Sequence, residues 1–169
     1  MRRNSSTLFA ARHHIFWKWA GLQGITLLLV ILAAAPTWLP TQLQAVFMQA
    51  FAPFCHQMPA RMPHINGTAL AVCDRCIGIY SGAVIGVALG GWGRLVRGTL
   101  QRLHPGWLLA GALPAIIDWT GPWLGWWINV PLSRLLTGLV LGGAVGLFLV
   151  AALNQPRPSA SPTMSSSVE

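Results

Sequence analysis

Cys73-Asp74-Arg75-Cys76 runs directly into Ile77-Gly78-Ile79-Tyr80-Ser81-Gly82-Ala83-Val84-Ile85-Gly86-Val87-Ala88-Leu89-Gly90-Gly91, so two thiols stand at the head of an apolar, glycine-rich segment. A helix needs roughly 20 mostly apolar residues to cross a bilayer core. The stretch from about Val72 to Trp92 meets that requirement and reads as a membrane span. Upstream, Cys55-His56 supplies the remaining cysteine of the chain, so every thiol lies between residues 55 and 76.

Composition points the same way. The chain has 169 residues, of which 54% are hydrophobic and 8% charged. Soluble domains spend about a quarter of their residues on charge. Three further segments read as spans: about Trp17 to Ala35, Trp107 to Trp123, and Leu132 to Leu153. The third is short and carries Pro114 and Asp118. Between the first two spans, Pro40 to Phe54 reads as a short interfacial helix, with Leu43, Val46, Phe47 and Phe51 at helical spacing among glutamines. Asn66-Gly67 marks a turn. The expected fold is all-α: a polytopic bundle of about four transmembrane helices plus the interfacial helix. In this organisation residues 1–16 form a basic N-terminal segment, 17–153 the membrane domain with a Cys/His loop at about 54–76, and 154–169 a disordered Pro/Ser-rich tail.

Basic residues set the orientation. The net charge is +8, but the cations sit at the ends of apolar runs, which suits membrane topology and lipid contact and argues against nucleic acid. Arg2, Arg3, Arg12 and Lys18 lie within the first eighteen residues, Arg94, Arg97 and Arg102 join the second span to the third, and Arg157 lies in the tail. Only Arg61, Arg75 and Arg134 fall on the other side. Both termini are therefore expected in the cytoplasm of a cell with an inner (plasma) membrane, with the Cys/His loop outside. A competing reading makes the first span a cleaved signal peptide ending near Ala33-Ala34-Ala35. It too leaves the loop outside.

Two thiolates in a C-x-x-C, a third thiolate and an imidazole make a tetrahedral metal site from Cys55, His56, Cys73 and Cys76. Zinc suits such ligands best. Copper and iron are alternatives, and Met58, Met62 and His64 keep soft-metal chemistry open. The same thiols suit a redox pair, because a helix N-terminus stabilises the thiolates of Cys73 and Cys76. They also suit plain packing or one static disulfide, with no cofactor at all. At the same membrane face lie Arg61, Asp74, Arg75, Asp118, Asn129 and Arg134, a candidate polar pocket. Asp118–Arg134, Asp74–Arg134 and Asp118–Arg75 are the available pairings, and each could simply lock the bundle. Gly78, Gly82 and Gly86 recur every four residues, as do Gly138 and Gly142, and each row makes a smooth helix face for close packing of the second span on the fourth.

Cys55-His56-Gln57 with Pro59 and Arg61, followed by Cys73-x-Arg75-Cys76-x-Gly78-Ile79-Tyr80-x-Gly82, resembles the signature of a family of small prokaryotic membrane proteins known as a domain of unknown function. Pro114, Asp118, Asn129, Arg134 and Thr137-Gly138 match its later pattern, and Met62 stands where that pattern often has Ser. The resemblance covers about residues 50–146. It implies a polytopic membrane protein with a Cys/His/Asp/Arg site and brings no activity with it. The residues themselves suit either a metal-binding, accessory membrane protein or a membrane enzyme. The enzyme would be a thiol–disulfide oxidoreductase working through Cys73 and Cys76, or a lipid-headgroup enzyme using Asp118 and Arg134. Membrane lipid is the expected partner, and an unidentified protein partner is open.

The charge asymmetry makes a direct prediction. Reporter fusions after Arg102 and after Leu153 should both report cytoplasm; an external signal from either would invert the arrangement.

Overall fold

The structure, a computed structural model, describes residues 5–92 and 106–154. The basic connection with Arg94, Arg97 and Arg102, residues 1–4 and the tail from Gln155 onward lie outside the described residues. Among the described residues there are five helices: α1 (Ser5–Ala34), α2 (Thr41–Phe51), α3 (Asp74–Trp92), α4 (Gly106–Thr120) and α5 (Pro131–Leu153). Between α2 and α3 lie a single tight turn at Pro59–Arg61 and a two-stranded hairpin, β1 (His64–Ile65) and β2 (Thr68–Ala69). Asn66 (φ 51°) and Gly67 (φ 80°) both adopt the left-handed backbone that a two-residue hairpin turn demands.

Local chemistry explains the element ends. Pro36 has no N–H, so α1 passes into the tight turn Ala35–Thr37. The Ala33 carbonyl turns outward there and accepts the Ala71 amide at 2.9 Å, pinning the loop before α3 to the end of α1. Pro131 sits at the first helical position of α5, after the extended Val130, where its missing N–H costs nothing.

Two helical segments are long and apolar enough to cross a membrane, Phe16–Thr37 and Pro131–Leu153. In α3 the 19 residues open on Asp74 and Arg75. The 15 residues of α4 rise only about 22 Å, against a hydrocarbon core about 30 Å thick. The apolar positions expected along α2 divide: Phe51 is buried and Phe47 packs on the core beside it, whereas Leu43 and Val46 are exposed.

The centre of the bundle is the pairing of α3 with α5, and the two helices run parallel. A methyl group at Gly78 would strike the Leu135 carbonyl, at Gly82 the Leu139 carbonyl and the Gly143 amide, and at Gly86 the Gly143 carbonyl. Seen from α5, Gly138, Gly142 and Gly146 meet the carbonyls of Arg75, Ile79 and Ala83. Contacts therefore advance together, four residues at a time. Small residues are what allow such backbone approach, since lipid provides no hydrophobic drive for helices to associate. The outer helices run the other way. Trp19 of α1 donates its indole N–H to the Val87 carbonyl at 2.8 Å and covers Gly91, while Gly111 of α4 sits against Ala144 of α5. This alternation brings the N-terminal ends of α3 and α5 and the C-terminal ends of α1 and α4 to one end of the bundle.

Because backbone rather than side chain blocks any substituent at these positions, relief by a rotamer change is unavailable. Gly82→Leu and Gly142→Leu should each destabilise the detergent-solubilised protein by about 3 kcal/mol or more, whereas Leu28→Ile, on an exposed face of α1, should cost under about 1 kcal/mol. Thermal unfolding followed by tryptophan fluorescence measures the difference. Equal, small effects would contradict the close α3–α5 pairing.

Candidate metal centre

Three thiols meet at the shared end of the bundle. Cys55 follows the last turn of α2 and still hydrogen-bonds helically, its amide donating to the Phe51 carbonyl at 3.0 Å. Cys73 lies in the loop just ahead of α3, and its carbonyl accepts the Ile77 amide at 3.0 Å, opening the helix. One turn further, Cys76 returns to the same side as Cys73. The three Sγ atoms all lie within 4.8 Å of one another, and all three cysteines are free thiols. Cys55 is buried in the core cluster with Phe51, Ala71 and Val72, while Cys73, Cys76 and Tyr80 pack against it.

Backbone donors already face the sulfurs. The Cys73 amide donates to Cys55 Sγ at 3.2 Å. Hydrogen bonding with the Cys76 thiol, joined by the Cys76 amide, the Cys55 thiol and the Arg75 amide, holds the Cys73 thiol down to about 5 against burial, which pushes it up. A thiolate is the form that ligates metal or attacks a disulfide, so this end of α3 is prepared for either chemistry.

Gln57 holds the thiol loop in place. Its backbone is left-handed (φ 45°), a conformation that a non-glycine residue adopts at some cost. Its side-chain amide offsets this by donating to the Met48 carbonyl at 2.6 Å and the Ala71 carbonyl at 2.8 Å. Gln57 thereby ties the end of α2 to the segment entering Cys73. Periodicity gives no role to Gln57; its one sequence signal was its place beside Cys55-His56. Tyr80 packs on Phe51 with ring centroids 6.2 Å apart.

The remaining candidates separate. His56 is exposed and stands apart from the three clustered thiols, as does His64 on β1. Met58 is exposed and Met62 buried, while Met48, which sequence spacing did not single out, packs against the Cys55 cluster. Arg61 is exposed and forms no ion pair with another described residue.

The charged residues settle into two of the three pairings open to them. Arg75 of α3 bridges Asp118 of α4 at 2.5 Å, and Asp74 of α3 bridges Arg134 of α5 at 3.3 Å. Arg134 also donates to the Asn129 carbonyl at 2.8 Å. Asp74 and Asp118 are both buried. Adjacent residues of opposite charge at the start of α3 thus clamp a different helix each. Losing one partner would strand a buried charge, which is far costlier than never having had the pair.

The sequence pattern of a family described as "Predicted membrane protein (DUF2085)" matches residues 55–148, from the first clustered thiol to well along α5. An uncharacterised protein of Methanocaldococcus jannaschii is 28% identical over 102 residues, covering 57% of this chain and 61% of that protein, so the chain spans less than two thirds of its relative's length. No solved structure matches. With more than half of its length matched, and with helices of membrane-spanning length around the matched thiols, the chain belongs to the DUF2085 family of predicted membrane proteins.

Proposed function

We propose that this protein is a multi-pass inner-membrane protein whose Cys55, Cys73 and Cys76 hold a metal ion, zinc before copper or iron, at the outward end of a four-span bundle with both termini in the cytoplasm. The observation that carries this reading is the convergence of three free sulfurs within 4.8 Å from two separate segments of chain. Around tetrahedral zinc with Zn–S near 2.3 Å, sulfurs stand about 3.8 Å apart, a spacing compatible with three sulfurs that all lie within 4.8 Å of one another. His56, next to Cys55 and exposed, is the proposed fourth ligand; a water or an incoming molecule could take that position instead. The ion pairs support a structural lock around the centre. Arg75 and Arg134 each face a buried carboxylate, which leaves little free cationic charge for a lipid-headgroup reaction.

A thiol–disulfide role is the second reading. It is favoured by the position of Cys73 and Cys76 over the first turn of α3, with Cys55 close enough to exchange.

The two readings part cleanly on measurement. Detergent-purified protein should carry about one metal ion per chain, with its thiols resistant to alkylation until a chelator is added. Cys55→Ser, Cys73→Ser or Cys76→Ser should each lower metal content and thermal stability together, since binding energy in a closed site is folding energy. Protein free of stoichiometric metal, with a Cys73–Cys76 disulfide that cycles with added reductant and survives Cys55→Ser, would overturn the metal reading in favour of the oxidoreductase.

A further inference from the structure

The segment between α4 and α5, Gly121-Pro122-Trp123-Leu124-Gly125-Trp126-Trp127-Ile128-Asn129-Val130, contains no charged residue. It is also the most exposed apolar stretch of the described chain. Ile128 is 89% exposed, Trp123 79% and Trp126 68%. The segment is nevertheless ordered from within. Trp127 lies over Gly121, where any side chain would collide with its ring. The Trp126 amide donates to the Gly121 carbonyl at 3.0 Å, and ring pairs Trp119–Trp123 and Trp126–Trp127 sit 5.8 and 6.0 Å apart. A shaped indole platform is therefore presented outward.

We infer that this segment is a membrane-docking shelf that lies in the interfacial layer of the bilayer and holds the three-thiol end of the bundle at headgroup depth. Three independent observations support lipid as the occupant. First, the shelf is continuous with the apolar surface of α5, whose Leu132, Leu136 and Val140 are exposed along the same helix; α5 is long and apolar enough to cross a membrane. Second, the shelf follows directly on α4, whose Ile116, Ile117 and Trp119 are exposed, so the outward apolar surface runs unbroken from α4 into the shelf. Third, indoles with an apolar body and one N–H favour the boundary between hydrocarbon and headgroup over bulk water.

The shelf is tied to the thiol site at both ends. Asp118, just before it, bridges Arg75; Asn129, within it, accepts a hydrogen bond from Arg134, which bridges Asp74. Both tethers converge on the two residues between Cys73 and Cys76. On the opposite flank Trp38, Leu43, Val46 and Phe54 are also exposed, giving the thiol end a second apolar border. This inference rests on α5 spanning the membrane, and not on metal binding by the thiols.

The test is the labelling rate of Ile128→Cys by a charged, water-soluble maleimide, in full-length protein carried one copy per nanodisc of phosphatidylcholine and phosphatidylglycerol. Ala60→Cys, on the exposed turn at Pro59–Arg61, is the solvent-facing reference, and wild-type protein gives the background of the native thiols. Incorporation into the discs reports the spanning reading separately. Ile128→Cys should label at least about tenfold more slowly than Ala60→Cys. Because Ile128 has almost no contacts to lose, the variant should fold as wild type; Trp126→Cys gives a second position on the same shelf. Equal labelling rates at the two positions would overturn the inference. Equal rates in one-copy discs with protection only in two-copy discs would overturn it in favour of a contact between copies of this chain. In a second readout, brominated lipid should quench wild-type tryptophan fluorescence more than that of Trp123→Phe/Trp126→Phe protein, and identical quenching would contradict the shelf.

Discussion

Any side chain larger than hydrogen at Gly82 or Gly142 would run into backbone atoms of the facing helix, and the geometry of the thiol end follows from that close parallel contact. Parallel helices bring their N-terminal ends to the same level. Asp74 and Arg134, 60 residues apart in sequence, then fall within hydrogen-bonding reach, and Cys73 and Cys76 come to lie on the face that looks toward α2. Substituents on either glycine row would push α5 outward. The Asp74–Arg134 bridge would lengthen, and the loop that Gln57 and Ala71 anchor would lose its floor.

Electrostatics at this end is economical. The chain has three acidic residues in all, and two of them sit buried at the same end, each against an arginine. Charges are expensive near a membrane unless paired, so their concentration here marks the part of the bundle where position matters most. With both arginines neutralised by carboxylates, the sulfurs keep only hydrogen-bond donors and the positive end of α3 to hold negative charge. A bound cation would supply the compensation that three thiolates require.

Much of this was legible in the sequence because it depends on spacing. The four-residue glycine rows foretell one contact face, C-x-x-C puts two sulfurs on one side of a first turn, and Asn66-Gly67 specifies its hairpin turn. Other features depend on how helices rotate about their axes and on where a loop bends. Three carboxylate–arginine pairings were compatible with the sequence; only the rotation of α3 about its own axis directs Arg75 to Asp118 of α4 and Asp74 to Arg134 of α5. Gln57 acts through two backbone carbonyls, Met48 and Ala71, and no residue pattern encodes such partners. The exposed placement of His56, beside a left-handed Gln57, has no sequence signal either. In α2 one apolar set at helical spacing serves two surfaces, core at Phe47 and Phe51, outside at Leu43 and Val46, because a short helix lying across a bundle end borders both.

X-ray absorption at the edge of the proposed metal tests whether the close α3–α5 contact and the Gln57-anchored loop assemble three sulfurs around one ion. Detergent-purified protein should show three sulfur neighbours at about 2.3 Å and one lighter nitrogen or oxygen neighbour. A first shell of nitrogen and oxygen alone, or one with a single sulfur, would contradict it.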